Sequence, residues 1–217
     1  MYLVIILRLK NVKNASNIIK ESNYLVLEPN IYKGKWNTLF GNESAISIEI
    51  GMGKGDFIIE MAKENPKVNF IGIEMFDSVI VRAIQKLSDI KLNNLKLIRM
   101  DANKIEDVFY KEIDTIYLNF SDPWPKNRHK KRRLTSHNLL SKYDNVFKNS
   151  KKIFQKTDNI DLFAYSIESL STYGYTLKNV TLDLYNNMID NNVQTEYEKK
   201  FVNKNVKICR LEAYKDN

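Results

Sequence analysis

The chain has 217 residues, of which 43% are hydrophobic and 28% charged, with a net charge of +8 and one cysteine. That is enough apolar material for one domain with a real core, and it excludes a disordered chain. The single cysteine, Cys209, excludes an internal disulfide and fits a reducing cytosol. Six of the cations fall between Lys126 and Arg133, so the basicity is concentrated and favours a polyanionic partner over general solubility.

Met1 to Leu7 is apolar but too short to span a bilayer, and it lacks a charged leader and a small-residue cleavage site. It is expected to be a short strand or a tail. Val12, Ala15, Ile18 and Ile19 give residues 12–23 a modest helical pattern. Residues 32–41 read as a short amphipathic turn closed by Gly41, with Trp36 and Phe40 packed inward. Residues 1–44 thus form an N-terminal arm and helix, and 45–217 the core of a single domain.

Residues 45–50 form a predicted strand, Gly51-Met52-Gly53-Lys54-Gly55 a turn, and residues 56–63 a helix. This is the front half of a βαβ unit, in which glycines let the backbone turn sharply and approach a ligand. The next strand, 68–74, ends in Glu74, 23 residues after Gly51, where an acid can accept from a ribose diol. G-x-G-x-G preceded by Glu49 resembles the first motif of S-adenosylmethionine-dependent methyltransferases. A helix over 76–91 presents Val79, Ile80, Ala83, Ile84 and Leu87, and a third strand, 95–100, runs into Asp101. Asp101 either caps the following turn or meets an adenine amino group.

Residues 113–118 are a predicted buried strand, after which Pro123 and Pro125 remove two ladder donors and bias Asp122 and Trp124 away from helix. The result is a stiff loop at the carboxyl end of a strand, where ligands bind in open α/β sheets. It carries one acid and one flat aromatic, and the six cations follow at once. Trp124 either stacks a base or walls the pocket. A helix from Leu134 carries Leu139, Leu140, Tyr143, Val146 and Phe147; a strand at 152–158 ends in Asp158; residues 162–170 are helical. Strands at 175–184 and 205–213 form the antiparallel pair that closes a seven-stranded sheet. The insertion between them, 185–203, contains Thr195 and Glu198 at capping-box spacing. No metal site is expected, since His129, His137 and Cys209 lack ligand spacing.

Phe120-Ser121-Asp122-Pro123-Trp124-Pro125-Lys126, the run Arg128 to Arg133, Thr157-Asp158-Asn159 and Thr195-Glu196-Tyr197-Glu198 together resemble the bacterial tRNA (guanine-N7-)-methyltransferase family. The resemblance extends from about Arg8 to the end. It implies a Rossmann-like class I methyltransferase fold, with a seven-stranded, mostly parallel sheet, helices on both faces and an antiparallel C-terminal strand. It also implies methylation at N7 of guanine 46 in the tRNA variable loop, with S-adenosyl-L-methionine as cofactor and tRNA as partner. A cytoplasmic monomer or homodimer, with no membrane and no obligate protein partner, is expected.

By motif position, Glu49, Gly51, Gly53, Glu74, Asp101 and Asp122 would hold the cofactor, with Asp122 also the candidate catalytic group. Lys126, Asp158, Thr195, Glu196, Tyr197 and Glu198 would contact the substrate. Arg128, His129, Lys130, Lys131, Arg132 and Arg133 would lie on RNA. Three features depart from the family pattern: the extra Met1 to Leu7, Ile160-Asp161 where Arg-Gly is frequent, and Tyr185 where His is frequent. Competing readings are a non-catalytic RNA-binding module, a methyltransferase for another RNA, and a small-molecule methyltransferase. The concentrated basic run argues against the last.

Overall fold

The computed structural model describes residues 18–19, 22–186, 192–202 and 204–216. The expected strand or tail at 1–7 and most of the expected helix at 12–23 lie outside them. Eight strands among the described residues make one sheet: β1 (Leu25–Val26), β2 (Ile46–Ile50), β3 (Asn69–Glu74), β4 (Leu95–Arg99), β5 (Ile113–Asn119), β6 (Lys151–Thr157), β7 (Thr176–Thr181) and β8 (Cys209–Lys215). Their order is β1-β4-β3-β2-β5-β6-β8-β7. The pairs from β1 through β6 are parallel, and β8 runs antiparallel between β6 and β7. The sheet therefore has eight strands rather than seven. The extra one is β1, two residues paired with Leu97 and Ile98 at the edge, too short for any periodicity to reveal.

β2 is buried along its whole length, as a central parallel strand covered on both faces must be. Its alternation splits the core in two. Ile46, Ile48 and Ile50 join Trp36, Ile71, Leu139, Leu140 and Tyr143 on one face. The helix Asp56–Glu64 (α2) and the helix Asp77–Lys86 (α3) close the other, with Ile58, Ile59, Ile80, Ala83, Phe70 and Leu97. The short helix Trp36–Phe40 (α1) ends at Gly41 in the left-handed region, and the fully buried Trp36 donates Nε1–H to the Val108 carbonyl at 3.0 Å. Burying that indole without a partner for its N–H would be costly, and the carbonyl removes the cost.

Further α-helices among the described residues are α4 (Ile105–Val108), α5 (His137–Val146), α6 (Ile160–Thr172) and α7 (Glu196–Val202). The expected stripe of α5 is buried in full. Strand order reverses between β2 and β5, and the carboxyl ends of these two strands open the crevice in which ligands of such sheets bind.

Candidate active site

The glycine turn leaves β2 pinned to its neighbour, since the Gly51 and Met52 amides both donate to the Ile73 carbonyl. Gly51 and Gly53 have φ of 79° and 58°, a region that side-chain-bearing residues disfavour. A Cβ on either would meet no atom within 4 Å, so both face open space. Glu74, at the end of β3, accepts the Gly53 amide with one oxygen and the Met75 and Phe76 amides with the other. Its carboxyl is pushed up by burial and by the charge of Asp122, against these hydrogen bonds.

Glu49 is 2% exposed. One oxygen accepts Asn119 Nδ2–H at 2.9 Å, and the other is buried with no partner. Burial pushes this carboxyl up to about 7. An orphaned buried oxygen facing a cavity is an invitation to a cationic donor. The cavity, about 110 Å³, is lined by Glu49, Gly51, Gly53, Phe57, Phe120 and Tyr197 among others. A wider hollow of about 480 Å³ lies against Met75, Met100 and Asp101. Here Asp101 acts as a cap, accepting Asn103 N–H at 2.9 Å and Asn103 Nδ2–H at 3.0 Å, while remaining exposed at the hollow's wall.

The loop after β5 is strained at two non-glycine residues, Phe120 with φ 50° and Trp124 with φ 42°. Such conformations cost free energy and persist where surroundings enforce them. For Phe120 the enforcer is a hydrogen bond from its amide to the Lys156 carbonyl at 2.8 Å. Trp124 turns toward the basic run, with the Arg132 guanidinium 4.8 Å over its ring and His129 at its edge. Asp122 is exposed, and its charge acts on Glu74 at the end of β3.

The basic run is a 3-10 turn, Asn127–Arg132, whose cationic side chains are exposed. Partial desolvation and the neighbouring Arg132, Arg128 and Lys126 charges hold the His129 imidazole below its usual range. Arg133, expected on RNA with the rest of the run, is turned inward. Its side chain is 6% exposed, donates to the carbonyls of Pro123 and Trp124, and lies 4.4 Å over the Tyr165 ring. It holds the loop from inside.

The segment before α7 forms the expected capping box, with Glu198 N–H donating to Thr195 Oγ1 at 2.9 Å and Thr195 N–H to Glu198 Oε2 at 3.3 Å. Glu198, expected to contact the substrate, faces inward in this structure. It is fully buried, and its oxygens also accept Lys156 Nζ at 2.6 Å, Asn192 Nδ2 at 2.6 Å and the Tyr185 hydroxyl at 2.8 Å. A base edge would have to break that set to reach it. Thr195 is likewise buried and spent on the cap. Glu196 bridges Lys54 of the glycine turn at 2.9 Å and Lys200 at 2.8 Å. Partial burial opposes its ionisation, but the two lysines hold its carboxyl down at about 2.

Tyr197, 55% exposed, forms a near-parallel cluster with Phe120 and Phe201. Asp158 is exposed just past β6, and Lys126 is exposed where the 3-10 turn begins. The sequence reading missed Asn119, Phe120, Lys54 and Lys156. Only Phe120 carried a signal, as the aromatic that opens the Ser-Asp-Pro-Trp turn.

The crevice thus combines a glycine turn, a deep carboxyl group with one unpartnered oxygen, an aromatic cluster and a cationic turn. Residues 43–211 match the family described as putative methyltransferase. A tRNA (guanine-N(7)-)-methyltransferase of Bacillus licheniformis is 49% identical over 209 residues, 95% of this chain and 98% of the relative. One of Bacillus subtilis is 51% identical over 185 residues, 85% and 87%.

This chain belongs to the tRNA (guanine-N7-)-methyltransferase family.

The family depends on S-adenosylmethionine, and the unpartnered Glu49 oxygen beside the open glycine turn fits that group, whose amino acid end carries an ammonium. The fold has solved counterparts: an antibiotic-related methyltransferase superposes with a TM-score of 0.64 at 16% identity, covering 85% of this chain and 94% of that one. No helix among the described residues is long and apolar enough to cross a membrane.

Proposed function

We propose that this chain transfers a methyl group from S-adenosylmethionine to N7 of guanine 46 in the tRNA variable loop. The observation that carries the reading is the placement of the unpartnered Glu49 oxygen and the cationic 3-10 turn at one edge of one sheet. The cofactor supplies a methyl group on a positively charged sulfur. Guanine N7 has an in-plane lone pair and no proton, so the residues have no base to provide. Their task is to hold the acceptor in line, a positioning effect that reaches several kcal/mol.

Glu49 and the Gly51–Gly53 backbone hold the amino acid end of the cofactor, Glu74 and Asp101 its nucleoside. Asp122 offsets the positive charge that develops on the guanine. Tyr197 and Phe120 present an aromatic surface to the base, and Asp158 is the free acceptor for its N1–H and N2–H. Arg128, Lys130, Lys131 and Arg132 bind phosphates without reading sequence, with His129 among them. The substrate places the enzyme in the cytoplasm.

The test is methyl transfer from labelled S-adenosylmethionine to unmodified tRNA transcripts carrying guanine or adenine at position 46. Label on the guanine transcript alone, in a base labile to reduction and aniline, is the expected result. Label on both, or on neither with cofactor bound, overturns it.

A further inference from the structure

Lys156 stands on the interior strand β6 and is 6% exposed; burial draws its ammonium below the usual lysine range, and the Glu198 carboxylate opposes that. Its ammonium has three protons, and each has an acceptor: Glu198 Oε2 at 2.6 Å, the Val193 carbonyl at 2.7 Å and Asn192 Oδ1 at 3.1 Å. Asn192 and Val193 lie in the segment that leads into α7, and Glu198 lies in its first turn. The Phe57 ring, on the wall of the cofactor cavity, lies 5.2 Å from the same nitrogen. The backbone of Lys156 has a second role, because its carbonyl accepts the Phe120 amide and holds that residue in the left-handed region. One residue therefore sets both sides of the aromatic cluster. Its carbonyl fixes Phe120, and its ammonium fixes Glu198, one residue beyond Tyr197.

The hub is closed. Glu198 accepts four donors, and the Tyr185 hydroxyl, which donates to it, in turn accepts Gln194 Nε2–H at 2.7 Å. A buried ion pair of this kind is weak evidence for stability, since desolvation offsets most of its attraction, but it fixes one arrangement against others. In this arrangement Glu198 anchors the residues that face the cavity.

We propose that Lys156 is a positioning residue for methyl transfer: its buried pair with Glu198 and its bond to Phe120 hold Tyr197 and Phe120 where the target base is received. This rests on the guanine-methyltransferase reading. On that reading the basic turn binds phosphates independently of the hub, so losing the hub misplaces the base without releasing the RNA.

The experiment compares wild type, Lys156→Met and Lys156→Met/Glu198→Gln. The double variant removes the uncompensated buried charge that the single one leaves. Wild type must first methylate the guanine transcript; if it does not, the functional reading fails, independently of Lys156. Given an active wild type, the double variant is expected to bind S-adenosylmethionine at unchanged stoichiometry by calorimetry. Its tRNA KM should stay within about threefold while kcat falls roughly 100-fold, the signature of an interaction used in the transition state. A kcat near wild type overturns the proposal. So does a fall in kcat matched by an equal fall in cofactor stoichiometry, which marks a merely structural role.

Discussion

Glu49 shows how one side chain trades stability for binding. Its carboxyl lies at about 7 in the folded protein against an ordinary 4.5, because it is buried. A raised acid means that the folded state holds more protons than the unfolded one between those values. Stability from this group is therefore full below about pH 4.5 and is lost as pH rises through 7. At pH 8 the cost is on the order of 3 kcal/mol. Glu49→Gln keeps the acceptor for Asn119 and removes the charge, so it should melt above wild type at pH 8 and level with it near pH 5. The same variant should bind S-adenosylmethionine more weakly and without pH dependence. Wild-type affinity, read by calorimetry, should fall by up to about tenfold per pH unit below 7. Coincident melting curves at pH 8 would show that Glu49 is not desolvated. Asp122 is exposed and contributes nothing comparable to stability. Asp122→Ala should lower kcat by roughly 10²–10³, as loss of one charge-stabilising group does, with little change in tRNA affinity; full activity would remove it from the chemistry.

At the level of elements, the cationic turn separates two arginines that sequence alone treats alike. Lys130, Lys131 and Arg132 are exposed, and Arg133 is tied to Pro123 and Trp124. Replacing the three exposed cations with Ala should weaken tRNA binding and lower its slope on log salt by roughly two to three. Arg133→Ala should leave the slope nearly unchanged and reduce the melting temperature, because the part-buried carbonyls of Pro123 and Trp124 lose their donor. An unchanged slope in the triple variant would detach the turn from RNA. The strand-turn-helix units were legible because period and glycine placement are local properties: β2, α2, β3 and the stripe of α5 follow from residues near one another in the chain. The capping box was legible for the same reason. What escaped were side-chain and edge contacts made by partners distant in sequence. β1 needs β4 to exist as a strand, Arg133 is interior only because the loop folds back over it, and Lys156 reads as an ordinary strand lysine until Glu198, 42 residues later, is brought to it.

On the scale of the molecule, the crevice is closed by contacts from three directions onto α7 and its leading segment. Lys54 reaches Glu196 from the glycine turn, Phe120 meets Tyr197 and Phe201 from the β5 loop, and Lys156 meets Glu198 from β6. A ligand that orders the glycine turn must therefore bias α7 as well, since the two share an ion pair. Coupling of this kind is typically 1–3 kcal/mol. Saturating S-adenosylmethionine should slow amide hydrogen exchange across Glu196–Val202 as well as at the turn itself, measured by mass spectrometry. The Lys54–Glu196 bridge is partly solvent-exposed, so its own share is below about 1 kcal/mol. Lys54→Ala should accordingly erode the protection of α7 by no more than about fivefold, while the buried Lys156–Glu198 pair retains the rest. Protection confined to the glycine turn in wild type would mean that the two halves of the crevice bind their ligands independently.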